Sequence, residues 1–60
     1  MDEKAYIVYY KNENKNYETG FNNLDEAIIF ANNLCLDNWK NVKIVDFFNN
    51  VVLEYNKEEN

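Results

Sequence analysis

The sequence predicts an α+β fold of order ββαββ, a four-stranded antiparallel sheet with one helix packed on one face. Three features lead there. A segment with a helical apolar repeat sits mid-chain, β-branched and aromatic runs flank it on both sides, and Asn49-Asn50 supplies a turn between the last two runs. The chain of 60 residues is read as one small domain, with a frayed, charged tail over 57–60.

From Lys4 to Lys11 the run Ala-Tyr-Ile-Val-Tyr-Tyr favours a first strand. The polar stretch Lys11 to Asn16 reads as an exposed loop, and Tyr17 to Phe21 as a second strand. Alternation places Tyr17, Thr19 and Phe21 on one face, with Glu18 and Gly20 on the other. The helix spans Leu24 to Leu36, opened by Asn23 as N-cap with Glu26 three residues later. Leu24, Ala27, Ile28, Ala31, Leu34 and Cys35 form its buried stripe, which leaves Ile29 and Leu36 pointing outward, one heptad apart.

Asp37 to Asn41 reads as a loop and Val42 to Phe48 as the third strand. A two-residue turn at Asn49-Asn50 then brings Val51 to Asn56 back as the fourth, with Phe48 opposite Val51. In that register Val42, Ile44, Leu53 and Tyr55 share a face with Asp46, and Val45, Phe47 and Val52 share the other with Lys43 and Glu54. One helix covers one side of a sheet. Both sides carry apolar residues, since Tyr6, Val8 and Tyr10 alternate with Ile7 and Tyr9, and an open apolar face is the mark of an interface.

Composition narrows the function. Histidine, arginine, serine, proline and glutamine are all absent, and these include the common proton shuttles, nucleophiles and phosphate clamps. The expectation is therefore a protein that is not an enzyme and uses no cofactor or metal. Cys35 is the single cysteine, so neither an internal disulfide nor a zinc staple is available. A core this thin, burying about 60% of the unfolded chain's surface, gains most from a partner subunit. A net charge of −5 argues against binding nucleic acid, and no apolar run reaches the roughly 18 residues of a membrane span. The chain is read as cytoplasmic.

Each candidate residue has a plain structural role beside its functional one. Cys35 is expected in the core, far from the helix N-terminus that would activate a thiol. Asp46 is expected to cap a turn, and Trp39 to lie over the core or anchor a partner. The acidic pairs Asp2-Glu3, Asp25-Glu26 and Glu58-Glu59 are read as solvated surface and cap residues. The residues expected to make contacts are Tyr9, Val45, Phe47 and Val52 on the open sheet face, Ile29 and Leu36 outside the helix, and Trp39.

In size, acidity and a composition crowded with asparagine and lysine, residues of AT-rich codons, the chain resembles the small proteins with which phages and mobile elements of AT-rich Gram-positive bacteria block host defences, such as anti-CRISPR proteins. That resemblance implies stoichiometric inhibition of a host protein, often as a homodimer. Two other readings stand beside it. One is a sponge for a small, nucleotide-like ligand with its pocket between two subunits; the other is an acidic surface that imitates nucleic acid.

Overall fold

The computed structural model describes residues 4–37 and 39–55. Its elements follow the order ββαββ: β1 Tyr6–Asn12, β2 Lys15–Phe21, α1 Leu24–Leu36, β3 Lys40–Asp46 and β4 Val51–Tyr55. All four strands form one antiparallel sheet in the order β2-β1-β3-β4. The fold is α+β, as the alternation of strand and helix periods requires.

The first hairpin is longer and tighter than the sequence suggests. Lys11 and Asn12 continue β1, Lys15 and Asn16 begin β2, and only Glu13 and Asn14 turn between them. The expected loop over 11–16 is corrected accordingly. Glu13 adopts φ 51, a left-handed conformation that costs a side-chain-bearing residue about 1 kcal/mol, which is why this sequence does not announce a tight turn.

Helix α1 has the expected bounds. The Asn23 side chain accepts a 2.7 Å hydrogen bond from the Asp25 N–H, satisfying one of the orphan donors at the helix start. Asp25 and Glu26 add negative charge where the helix dipole is positive. At the other end the Asp37 N–H donates to the carbonyls of Asn33 and Leu34, and the Trp39 N–H also reaches Leu34. These bonds close the last turn and direct the chain into β3, which starts at Lys40 and not at Val42.

Because β2 and β3 each run antiparallel to β1, they are parallel to one another, and the helix linking them must cross over β1. Its packing follows from that path: α1 lies against β3, β1 and β2. The core consists of Val8, Ala27, Ala31, Leu34, Val42 and Ile44, with Ile28, Cys35 and Phe30 packed around it. The alanines at the contact let helix and sheet approach closely, so their small size is part of the packing. Phe30 was not on the expected stripe. It turns toward β2, where its ring meets Phe21 at 5.2 Å and Tyr10 at 5.5 Å between centroids.

Two irregularities shape the second half of the sheet. Asn41, at φ 58, forms a bulge against β1 between the Tyr9–Lys43 and Lys11–Lys40 pairs, an asparagine doing what glycine more often does. The second hairpin differs from expectation. β3 ends at Asp46, and the turn runs from Phe47 to Asn50, not over Asn49-Asn50 alone. The Asp46 carboxylate accepts from the N–H groups of Phe48 at 2.9 Å and Asn50 at 2.8 Å, while the Asp46 N–H donates to the Asn50 carbonyl at 2.9 Å. Ile44 therefore lies opposite Leu53, where the Phe48–Val51 register would have set Tyr55. A slip of two residues leaves every side chain on its face, so hydrophobic alternation does not detect it. A further shift between Ile44 and Val45 leaves Val51 opposite Val45 and inserts Val52 as the extra residue.

Candidate functional site

Two surfaces remain once the core is closed. The first is the free edge of the sheet. Among the described residues strand β4 is paired to β3 on one side only, and the helix, crossing from β2 to β3, reaches it at Tyr55. Val51, Val52 and Leu53 are exposed along it, and the turn before it exposes Phe47 and Phe48, whose rings meet edge to face at 5.5 Å. The C-terminal end of β4 is tied back, since the Tyr55 hydroxyl donates to the Asn32 side chain at 3.1 Å. The opposite edge, β2, is protected in the usual manner by Lys15, Asn16 and Glu18. The chain shields one edge with charge and leaves the other apolar, with Glu54 as the only charge in β4.

The second surface is the sheet face away from the helix. Cross-strand rows Gly20–Ile7–Val45–Val51 and Glu18–Tyr9–Lys43–Glu54 traverse it. Lys43 Nζ sits 5.9 Å above the centre of the Tyr9 ring. The Lys4 stem lies over Gly20, where an added Cβ would come within 2.5 Å of it, so glycine makes room for the lysine. A hollow of about 680 Å³ is lined among others by Tyr9, Lys11, Asn41, Lys43, Val45 and Glu54.

The expected contact residues fall in different places. Ile29 and Leu36 are exposed on the outer side of α1, at 60% and 79%. Tyr9 is half-buried on the open face, and Val52 is exposed in the bulge of β4. Phe47 is exposed too, but in the turn and not on the strand face where the sequence placed it. Val45 is corrected: it is 4% exposed, covered between Ile7 and Val51, and forms the floor of the hollow in place of a contact surface.

Trp39 is half-buried and lies edge-on to Tyr10 and Tyr17, with ring centres 5.1 and 5.5 Å away. Tyr10 stacks on Tyr17 and pairs its hydroxyl with the Thr19 hydroxyl at 2.9 Å. Of the five tyrosines, then, Tyr10 and Tyr17 build the wall that Trp39 covers, and the lid is the role the packing gives it. That aromatic cluster was missed because it depends on Tyr10 and Tyr17 facing each other across the hairpin, which the register decides.

Asp46 caps its turn, and Cys35 packs against the core without being fully enclosed. Asp25 and Glu26 are exposed in the first helical turn, while Asp2-Glu3, Glu58-Glu59 and the tail over 57–60 lie outside the described residues. Among the described residues no three His, Cys, Asp or Glu side chains converge as a metal site, and no helix is long and apolar enough to cross a membrane.

Comparison of the chain with family models, with curated proteins and with solved structures gave no match.

Proposed function

We propose that this protein is a non-enzymatic interaction module that binds a host protein stoichiometrically and alters its activity, in keeping with a phage or mobile-element inhibitor acting in the cytoplasm. One observation carries the reading: among the described residues β4 is an edge strand unpaired on one side, whose residues Val51 to Leu53 are exposed, beside the exposed Phe47 and Phe48. An edge of this kind presents a row of free backbone N–H and C=O groups, and proteins normally blunt it unless it is used. Recognition would then be strand addition, with main-chain hydrogen bonds giving affinity and Leu53 on one face and Val52 on the other giving selectivity.

The same edge accounts for an expected homodimer. Two copies related by a two-fold axis at Leu53 would set Leu53 against its counterpart and Glu54 against Val52, which keeps the two glutamates from facing each other. A host partner and a second copy would compete for the edge.

Lysine substitutions on the edge test this. Val52→Lys and Leu53→Lys should leave the circular dichroism spectrum near that of the parent, because both residues are already exposed, while loss of the partner subunit lowers the melting temperature. They should abolish both the dimer in native mass spectrometry and the host protein recovered with the tagged parent from a low-GC Gram-positive lysate. Unchanged mass and unchanged recovery with both variants would refute the use of β4.

A further inference from the structure

The hollow on the open sheet face has the size and lining of a small-ligand site, and it borders the exposed apolar edge at Val51 and Glu54 without including Val52 or Leu53. Its volume of about 680 Å³ falls within the range of roughly 300–1,000 Å³ typical of ligand pockets. The floor is apolar and covered, with Val45 at 4% exposure between Ile7 and Val51. The wall supplies aromatic surface from Tyr9, together with Tyr10 and Tyr17, which are stacked on each other at one end. Asn41, held at φ 58 in its bulge, and Asn16 contribute amides that both donate and accept.

The charge of the lining runs against that of the chain. Lys11 and Lys43 against Glu54 give two positive groups to one negative, a net of +1, on a protein whose net charge is −5. Lys43 Nζ stands 5.9 Å over the centre of the Tyr9 ring, so the cation lies above the aromatic face, and a ring stacking there takes its place while the ammonium turns to the anion. Glu54 is the cross-strand neighbour of Lys43 and brings the one negative charge of the lining beside it.

We infer that this hollow binds a small planar molecule carrying one anionic group, of the class of a nucleoside monophosphate, with the ring on Tyr9 and the anion at Lys43. A single lysine without arginine suits one phosphate better than a polyphosphate, which commonly draws on the fork geometry of guanidinium groups. Asparagine amides at the rim match the mixed donors and acceptors of a base edge. The site is complete within one copy of the chain.

The test is a titration of isotopically labelled protein with adenosine monophosphate, followed through the backbone amides of Tyr9, Lys43 and Val45, with adenosine and inorganic phosphate titrated separately. Saturable shifts with the monophosphate, at least about tenfold tighter than with either fragment, are expected. Lys43→Gln should weaken binding by about fivefold or more, and Glu54→Gln should tighten it by about twofold to fivefold by removing a negative charge that repels the anion. Opposite signs for two surface substitutions exclude a general effect on folding. Equal affinity for phosphate alone or for adenosine alone would overturn the inference, as would no saturable shift by about 5 mM or two variants that move affinity the same way. Leu53→Lys, which lies on the other face of β4, should leave this binding unchanged, so failure here and failure of the edge reading are told apart.

Discussion

Replacing Asp46 with alanine removes the acceptor that organises the turn from Phe47 to Asn50. Two backbone donors, from Phe48 at 2.9 Å and Asn50 at 2.8 Å, lose their partner. Hydrogen bonds to a charged acceptor contribute about 1.5–3 kcal/mol each, but these are exposed and water replaces the carboxylate, so a joint loss of about 1–2 kcal/mol is expected. A domain this small is stable by about 3–9 kcal/mol in total, and the loss corresponds to a fall in melting temperature of about 4–16 °C. Urea unfolding followed by Trp39 fluorescence reads it, since that indole is packed against Tyr10 and Tyr17. Asp46→Asn keeps an oxygen in place and should recover at least half of the stability. Alanine also removes what favours the longer turn, so the register with Ile44 opposite Tyr55 becomes accessible and cross-strand proton contacts should report it. A variant within about 0.3 kcal/mol of the parent, with Ile44 still opposite Leu53, would refute the claim that this carboxylate sets the turn.

Asn23→Ala should cost about 1 kcal/mol by leaving the Asp25 N–H without its cap, measurable as a melting temperature lower by about 4–8 °C. Glu13→Gly should do the opposite, raising stability by up to about 1 kcal/mol in urea unfolding, because φ 51 carries no steric penalty for glycine. A loss of stability with glycine there would mean that the Glu13 side chain contributes more than its backbone strain costs.

Much of the architecture was legible in the residues, and the reason is periodicity. The apolar stripe of Leu24, Ala27, Ile28, Ala31, Leu34 and Cys35, with Asn23 before it, defined the helix to its ends. Strand alternation assigned the faces of Val42 to Val45 and of Leu53 to Tyr55 correctly even where the register was wrong, because a two-residue slip preserves faces, whereas Phe47 leaves the sheet for the turn. Turn chemistry was harder to read. Glu13 accepts a left-handed backbone that its residue type disfavours, and Asp46 builds a longer turn from a position that pattern alone places within reach of the core.

The sequence by itself determined the element order, the outward position of Ile29 and Leu36, and the scarcity of groups suited to catalysis, since each depends on residue type and local spacing. Only the tertiary structure decided which strand became the exposed apolar edge. The path of α1 over β1 makes β2 and β4 the outer strands and leaves Val51 to Leu53 of β4 exposed, and that follows from strand order, a non-local property with no local signal. The hollow has the same origin. Tyr9, Val45 and Glu54 lie on three different strands, and their meeting depends on bulges and registers that no single segment encodes.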